Sequence, residues 1–406
     1  MLLFCDSFDL YSALSQKWDS INSAAYSGIT YPLITPTAAR NGPNGMQIVS
    51  QGGNHVGVQK NFSSRSTYFV GFALFVGACG SQCPIVGFWD GMANQCELRL
   101  NATGNFQFYT NAGATALGSE STYALSFGCW HYIEVMVTIN STSGVCKLKV
   151  DGNFALQLSG QNTQVSSNPS ASGVAIGPWE NTAGGNFSFY FDDLVVYDQT
   201  GSYNNTFLGD VKVSAQVPSG NGSTNNYAQN ATSWVSQAWA LGQQIIDSNG
   251  ALQRVTSPGT SGGSSPSWAT TVGATTNDGS VRWTLIQKPS LSNFNFVNEV
   301  PPDDNDSYLS DATVNDQDLY TFPPLAGSSI FAVAVNLRAC KDDSGTRSVR
   351  ALAKSASTTA DNGTDFALSQ SVYADYVGIF ETDPNTGVPW TVAGVNAAQF
   401  GIKTTA

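Results

Sequence analysis

Apolar and polar residues alternate most clearly over residues 130–139, where isoleucine or valine occupies every second position from residue 133 onward. Residues 187–191 repeat the pattern with a phenylalanine at every second position. A period of two is typical of β-strands that bury one face. Similar short runs recur through the first 200 residues between turn dipeptides such as Asp90-Gly91. Many short strands at regular spacing favour an antiparallel sandwich.

The strand pattern continues in the second half of the chain. Residues 207–213 (FLGDVKV) are predicted to form a strand that leads into a further domain. Apolar positions from Trp234 to Ile245 fit either a helix or strands, and the hairpin dipeptide Asn249-Gly250 favours strands. Strand-like runs also occur at 319–322, 330–337 and 373–380.

The composition supports a β-rich chain with few charges. Only 11% of the 406 residues are Asp, Glu, Lys or Arg, against a usual share of about 25%, and long helices normally carry charged faces. The net charge of −12 disfavours a nucleic-acid or anionic membrane partner. The sequence has no run of about 18 apolar residues, so we expect no membrane insertion. The first six residues lack the basic region of a signal peptide, and we expect none.

Five short motifs of the first half resemble one family when taken in order. They are FD at 8–9, FVGF at 69–72, GCWHYIE at 128–134, VDG at 150–152 and FDDL at 191–194. Together they resemble the concanavalin A-like or laminin-G-like jelly-roll lectin domain, in the form found in virion proteins of tailed bacteriophages. The resemblance implies an all-β chain whose residues 1–200 form a jelly-roll sandwich. It also implies a protein made in the host cytoplasm and displayed on the virion surface.

The resemblance extends to the rest of the chain. The segment at 207–213, the acidic, proline-rich joint at 298–308 and the closing stretch at 390–403 are similar to segments of the same phage proteins. They imply a C-terminal β-sandwich built from residues 201–228 and 289–406. Residues 229–288 are similar to a small β module that recurs in phage tail and fibre proteins. We therefore expect that module to be an insertion within the C-terminal sandwich.

Glycoside hydrolysis is one candidate chemistry, because lectin-like jelly rolls also host glycosidases. These enzymes need two carboxyl groups about 5–9.5 Å apart on either side of the scissile bond. Glu97 and Glu134 are the pair that could share a concave face. Each also fits an outward polar position of an alternating strand, and no acid-rich strand motif accompanies them. We therefore expect no catalytic residues and no enzymatic activity.

Asp192 and Asp193 interrupt the strand pattern at 187–198. Carboxylate oxygens at the rim of a lectin-like sandwich can bind Ca²⁺, so this pair is the candidate metal site, and no other cofactor is expected. The alternative is a bulge or turn in which both carboxylates accept hydrogen bonds from nearby N–H groups.

Trp89, Asp90 and Trp179 are the candidate glycan-binding residues. Both tryptophans lie at predicted loop edges, and exposed aromatic rings can stack on sugar rings. Trp268 and Trp283 are instead predicted to anchor the small β module.

His131 alternates with apolar neighbours and is predicted to be a core or strand-edge residue rather than an acid–base group. No Gly-x-Ser-x-Gly elbow supports a Ser-His-Asp hydrolase. The seven cysteines are expected to be free, partly buried thiols. Disulfides between Cys79 and Cys83 and between Cys129 and Cys146 are the alternative.

The resemblance favours a non-enzymatic structural protein on the tail, baseplate or head of a tailed phage. Its role would be adhesion and assembly through lectin-like β domains, with other virion proteins and a host surface glycan as partners. Virion positions are symmetric, so a homo-oligomer is expected. Two alternatives remain: a polysaccharide-degrading glycoside hydrolase, and a capsid decoration protein with no glycan contact.

Overall fold

The computed structural model describes residues 1–50, 54–179, 185–288, 292–327 and 329–406. The chain divides into two compact units, Met1–Ala215 and Gln216–Ala406. Strands dominate both units, which confirms the all-β prediction. Over the described ranges, no helix is long and apolar enough to cross a membrane.

The first unit is built from strands joined by turns and two short 3₁₀ helices, Leu14–Gln16 and Pro36–Ala38. In chain order, its described strands are β1 Leu2–Asp6, β2 Ser20–Asn22, β3 Ala24–Tyr26, β4 Ile29–Tyr31, β5 Leu33–Thr35, β6 Gly45–Ser50, β7 Gly57–Arg65, β8 Thr67–Cys79, β9 Cys83–Asp90, β10 Ala93–Leu100, β11 Phe106–Thr110, β12 Thr115–Leu117, β13 Trp130–Thr138, β14 Gly144–Val150, β15 Asn153–Gln161, β16 Ala171–Ile176 and β17 Phe187–Asp198.

Two large antiparallel sheets contain most of these strands. The eight-stranded sheet has the order β15-β14-β13-β8-β17-β6-β5, with β1 paired to β17. The seven-stranded sheet has the order β12-β11-β10-β9-β16-β7-β2. The short strands β3 and β4 pair with each other.

Apolar side chains of the two sheets meet in one core. Ile133 and Val135 of β13 and Leu98 of β10 belong to this cluster and are fully buried. The two sheets therefore pack face to face, as predicted for a jelly-roll sandwich. Side chains alternate along a strand, so Glu134 and Glu97 point away from the core on opposite outer faces. The hypothesis that these two glutamates share one concave face is wrong.

Residues 207–213 do not form the predicted strand. They are held by side-chain acceptors of the eight-stranded sheet instead of by a neighbouring strand. The backbone N–H groups of Leu208 and Gly209 both donate to Oε1 of Glu134, at 2.8 and 2.9 Å. The alternating sequence could not show this, because the acceptor lies more than seventy residues earlier in the chain.

The second unit is also built from strands, with one 3₁₀ helix at Asn293–Phe296 and one short helix, α1, at Val392–Ala397. Its described strands are β18 Gly220–Asn225, β19 Ala228–Ser233, β20 Ala238–Trp239, β21 Gln244–Ile246, β22 Leu252–Ser257, β23 Gly259–Thr260, β24 Thr275–Asp278, β25 Val281–Gln287, β26 Ser307–Ser310, β27 Gln317–Thr321, β28 Val333–Ala339, β29 Ser348–Ser355, β30 Thr358–Asp361, β31 Phe366–Ala367, β32 Ala374–Phe380 and β33 Gln399–Thr404.

These strands form two six-stranded sheets and two ribbons. One sheet has the order β18-β27-β33-β29-β30, with β31 paired to β29. The other has the order β24-β25-β22-β21-β19-β26, and the ribbons are β20-β23 and β28-β32. The boundaries predicted from the sequence (201–228 with 289–406, and 229–288) stay a prediction.

A tryptophan cluster lies beneath the second of these sheets. Trp239, Trp268 and Trp283 pack edge to face, with ring centroids 5.0–5.7 Å apart. Trp268 and Trp283 thus belong to one buried cluster, and their role as anchors of a separate small module stays a prediction. The segment around Ile245 is strand rather than helix, as the turn at Gly250 predicts.

Candidate functional site

The outer face of the seven-stranded sheet carries a buried polar cluster. Cys96 and Leu98 of β10 face the core, so the alternate residues Glu97 and Arg99 point outward. Strand register places Trp89 of β9 opposite Asn94, and Tyr109 of β11 opposite Glu97. We call Trp89, Asn94, Glu97, Arg99 and Tyr109 the sheet-face cluster.

A buried ion pair lies at the centre of the sheet-face cluster. Nε of Arg99 donates to Oε1 of Glu97 at 2.6 Å, and Nδ2 of Asn94 donates to Oε2 of Glu97 at 2.7 Å. The side chains of Arg99 and Glu97 are only 4% and 2% exposed. The Arg99 guanidinium also lies 5.4 Å from the centre of the Tyr109 ring. Each charge is thus compensated, as buried charges must be.

Three polar atoms of the cluster are buried without a hydrogen-bond partner in the described part of the chain. They are Nε1 of Trp89, Oδ1 of Asn94 and Nη2 of Arg99. An unpaired buried polar atom costs about 1–3 kcal/mol. Gly87 lets the indole lie close to the backbone of β9, since a Cβ there would be only 2.9 Å from the Trp89 Nε1. A ligand that supplies polar partners here would recover that cost.

A turn at residues 111–114 covers part of the cluster. Asn111 N donates to the Asn94 carbonyl oxygen at 3.1 Å, and Gly113, with φ +84°, packs directly on the Arg99 guanidinium. The Tyr109 hydroxyl is held nearby, because it accepts from Gln82 at 2.6 Å and donates to Gln107 at 2.8 Å. Backbone and side-chain bonds therefore fix the groups around the ion pair.

The predicted glycan residues Trp89, Asp90 and Trp179 do not form one site. Register places Trp89 beside Gly173 near the start of β16, whereas Trp179 follows the end of that strand. Trp89 is 2% exposed and lies within a strand, so its prediction as an exposed loop-edge ring is wrong. The strand β9 ends at Asp90, and the turn predicted at Asp90-Gly91 follows it.

Asp90 and Trp179 have structural partners of their own. Oδ2 of Asp90 accepts from Ser166 Oγ at 2.6 Å and from Asn168 Nδ2 at 2.8 Å, which fastens a neighbouring loop. Trp179 is half-buried, and its carbonyl oxygen accepts from Asn22 Nδ2 at 2.9 Å. Residue 180, the glutamate that follows Trp179 in the sequence motif, lies outside the described residues. A glycan contact at Asp90 or Trp179 stays a prediction.

Asp192 and Asp193, the candidate Ca²⁺ ligands, form a bulge in β17. Asp192 Oδ2 accepts from the backbone N–H groups of Arg40 and Asn41, at 2.7 and 2.9 Å. Asp193, with φ +52°, accepts from Val213 N at 2.8 Å. Burial raises the pKa of Asp192 to about 7 and also raises the pKa of Asp193. These bonds match the bulge interpretation, and the Ca²⁺ site stays a prediction.

Among the described residues, no group of three or more His, Cys, Asp or Glu side chains could hold a metal ion. The seven cysteines are free thiols.

The sequence did not identify the partners of His131. This residue lies at the start of β13, as predicted for a strand-edge position, and its Nδ1 is 2.7 Å from Oδ2 of Asp151. The β13–β14 register, in which Ile133 pairs with Val150, places the turn at Asp151 beside His131. That hairpin register is the signal from which the contact could have been found.

Comparisons with known proteins give fold likenesses at low identity. No family model matches the chain, and no curated protein matches it. Among solved structures it is similar to the alginate lyase Aly36B, with 11% identity over 44% of this chain and 86% of that chain, at a TM-score of 0.29. The alginate lyase AlgAT5 from polysaccharide lyase family 7 matches with 8% identity over 44% and 92%, at 0.30. A Trypanosoma rangeli sialidase in complex with sialic acid matches with 17% identity over 44% and 30%, at 0.30.

These likenesses correct one prediction from the sequence. The expectation of a protein without enzymatic activity is wrong, because the matched structures are lyases and sialidases, which are enzymes. At TM-scores near 0.3, the likenesses assign no residue roles in this chain. They contain nothing that points to a phage particle.

Proposed function

We propose that the first unit is a polysaccharide-active domain whose sugar site is the sheet-face cluster. The observation that carries this proposal is the set of three buried polar atoms, on Trp89, Asn94 and Arg99, that have no partner among the residues that the structure describes. Two of these atoms are donors and one is an acceptor, a combination that sugar hydroxyl and carboxylate groups can satisfy. The half-buried ring of Tyr109 adds apolar surface of the kind that packs on sugar rings.

The cluster suits the binding of an acidic sugar better than it suits glycoside hydrolysis by two carboxyl groups. A guanidinium with a free Nη2 is a good donor to a carboxylate, and it would stabilise negative charge that develops beside the sugar carboxylate. Glu97 balances the charge of Arg99, so the site would hold one sugar carboxylate rather than a dense polyanion. Glu97 and Glu134 lie on opposite outer faces and cannot flank one glycosidic bond.

Access to Arg99 requires the turn at residues 111–114 to move. This turn joins β11 to β12, the edge strand of the seven-stranded sheet, and an edge hairpin has fewer neighbours to hold it. Asn111, Ala112 and Gly113 all have positive φ. In the proposal, a bound sugar takes the place of the turn over the guanidinium.

The substitution Trp89→Phe tests the proposal directly. It removes the unpartnered Nε1 and keeps an aromatic ring, so the thermal unfolding midpoint should not fall through loss of a hydrogen bond. If Nε1 donates to the sugar, binding of alginate oligosaccharides to the full chain should weaken by about 2–10-fold, the effect of one neutral hydrogen bond. Isothermal titration calorimetry measures the binding, and assays for new reducing ends and for unsaturated uronate measure cleavage.

Trp239→Phe is the matched control, because Nε1 of Trp239 in the second unit is also buried and without a partner among the described residues. It should leave glycan binding unchanged. Sialic acid and a neutral cello-oligosaccharide serve as further probes. The proposal fails if none of these glycans binds, or if Trp89→Phe and Trp239→Phe bind equally well.

We also propose, from the sequence motifs alone, that the protein is displayed on a tailed phage particle. It would contact other virion proteins as a homo-oligomer and meet a host surface glycan through the first unit. Mass spectrometry of purified particles and antibody labelling in electron micrographs test the location. Purified particles that lack the chain would overturn the proposed location. Saturable attachment to capsids without glycan binding would favour a decoration protein.

A further inference from the structure

A second polar cluster of the first unit has the arrangement of a nucleophile, a base and an orienting acid. Sγ of Cys129 lies 3.2 Å from Nε2 of His131, and Nδ1 of His131 lies 2.7 Å from Oδ2 of Asp151. We call these three residues the Cys129 triad. Oγ of Ser126 also lies 2.9 Å from Nε2 of His131.

The β13–β14 hairpin holds the acid in place. Asp151 lies in the turn that follows β14, with φ +50°. Its Oδ1 accepts from Tyr132 N at 2.9 Å, and its own N–H donates to the Tyr132 carbonyl oxygen at 2.9 Å. One carboxylate oxygen is thus tied to the backbone of β13, and the other is left for the imidazole of His131.

The contact with Asp151 selects one tautomer of the neutral His131 ring. An ionised carboxylate only accepts hydrogen bonds, so the nitrogen beside it, Nδ1, carries the proton. In the neutral ring the lone pair is then on Nε2, which faces Cys129 Sγ and Ser126 Oγ. The Ser126 carbonyl oxygen also lies 3.1 Å from Nε2, and it can accept a hydrogen bond from this nitrogen only once the ring has taken up a proton there. That tautomer lets an imidazole take a proton from a thiol or hydroxyl.

The nucleophile is accessible while the base is shielded. Cys129 is exposed, whereas the His131 side chain is only 10% exposed. Two exposed aromatic rings lie nearby: Phe127, two residues before Cys129, and Tyr123. Burial, and then the charges of Asp151 and Cys129, raise the pKa of the Tyr123 hydroxyl. These rings offer apolar surface to an acyl or leaving group.

We propose that the Cys129 triad is a nucleophilic acyl-transfer site for activated esters and thioesters that reach it from solvent. Sγ attacks the carbonyl carbon as the thiol proton passes to Nε2 of His131. The bond to the leaving oxygen or sulfur breaks, and the leaving group takes that proton, so the acyl group remains on Cys129 as a thioester. Water then attacks the thioester while giving a proton to His131, which releases the carboxylic acid and restores the thiol. Asp151 is a positioning residue.

The reaction of the full chain with p-nitrophenyl acetate tests this site. We expect a burst of about one p-nitrophenolate per chain and one acetyl group on the peptide that contains Cys129, read by mass spectrometry. Cys129→Ala should abolish the burst and the adduct. His131→Asn should slow acetylation by about 10²–10⁴-fold, as expected for loss of a general base.

The chain supplies matched controls. It contains two histidines, so His55→Asn shows how much ester hydrolysis a second imidazole contributes, and it should leave the burst unchanged. Cys340→Ser should also leave it unchanged, because burial raises the pKa of the Cys340 thiol. Asp151→Asn keeps an acceptor for Tyr132 N. It should slow acetylation by at least about 10-fold without changing the burst amplitude or the thermal midpoint.

Three results would overturn the proposal. Acetylation of Cys129 at an unchanged rate in His131→Asn would show an ordinary exposed thiol. An acetyl group on Ser126, Cys5 or Cys340 in the unsubstituted chain would assign the nucleophile elsewhere. If Asp151→Asn lowers the thermal midpoint but not the acetylation rate, its role is structural only.

Discussion

Gly113 shows how one residue without a side chain preserves the sheet-face cluster. Its φ of +84° lies in the left-handed region that favours glycine. A Cβ at this position would overlap the guanidinium of Arg99. The contact between the 111–114 turn and Arg99 therefore depends on the absence of a single atom.

We expect Gly113→Ala to lower the free energy of unfolding by about 2–4 kcal/mol, because backbone strain and overlap with Arg99 add together. Urea unfolding of the full chain measures the change. Gly28→Ala is the control, since Gly28 has φ +81° and nothing within 4 Å of its Cβ position. It should cost only the strain, about 1–2 kcal/mol. Equal losses in the two variants would show that the overlap with Arg99 relaxes without cost.

Sequence patterns at this scale predicted which way side chains point but not what covers them. Glu97 and Arg99 face outward, as the alternation of β10 predicts. They are nevertheless buried, because a turn from another hairpin lies over Arg99. Periodicity describes one strand and contains no information on such a cover. Lectin-like motifs likewise did not reveal that His131 contacts both Cys129 and Asp151.

The bulge in β17 determines how the segment after that strand is held. Asp193 Oδ1 accepts from Val213 N, and its Oδ2 accepts from Asn41 Nδ2 at 2.6 Å and lies 3.4 Å from Nη1 of Arg40. Asp210 pairs with the same arginine but is 55% exposed. One buried and one exposed carboxylate thus bind Arg40.

We expect Asp193→Ala to lower the free energy of unfolding by about 2–4 kcal/mol, because it leaves Val213 N, Asn41 and part of Arg40 without acceptors. The freed segment should be cleaved faster by trypsin after the exposed Lys212. Urea unfolding and timed proteolysis measure the two effects. Asp210→Ala, at the exposed end of the same pair, should cost less than about 1 kcal/mol. Equal effects of the two substitutions would contradict this ranking.

At the element scale, long alternating strands were predicted better than the connections between them. The strand at 130–139 and the hairpin at Asn249-Gly250 follow from local patterns, and both are observed. The FLGDVKV segment has the same local pattern but pairs with none of the described strands. Its N–H groups bind Glu134 and Asp193, and such long-range acceptors do not appear in a local period.

For the whole molecule, we expect the stability of both compact units to change with pH in the same direction. Burial raises the pKa of Asp192 in the first unit to about 7. Burial, followed by the charge of Glu299, raises the pKa of Asp303 in the second unit to about 7. In the unfolded chain an aspartate titrates near 3.9. Between these values the folded chain holds protons that the unfolded chain has released, so stability falls as pH rises from about 4 to about 7.

We expect differential scanning calorimetry of the full chain to show two transitions, one for each unit, and both to shift to lower temperature between pH 5 and pH 8. Asp303→Asn removes one shifted carboxyl group, so the second unit's transition should depend less on pH, while the first unit's transition keeps its dependence. Transitions that move to higher temperature over this range would contradict the raised pKa values.

The all-β architecture could be predicted because many weak local signals agree on it. Few charges, frequent turn dipeptides and repeated alternation all favour strands, and each large sheet contains strands that the pattern indicated. Catalytic ability could not be judged in the same way. Cys129 and His131 are two residues apart in the sequence, and only the folded β13–β14 hairpin brings Asp151 to them.

The distribution of thiols gives the first unit an internal reporter of its own opening. Four of its cysteines are buried, and Sγ of Cys96 lies 3.8 Å from Sγ of Cys146 inside the sandwich. Burial raises the pKa of Cys79 to about 11 and also raises that of Cys96. Iodoacetamide can therefore modify these sulfurs only when the sandwich comes apart. Cys340 is the one cysteine of the second unit. Pulsed alkylation would therefore measure the unfolding rate of the first unit, with almost no signal from the second.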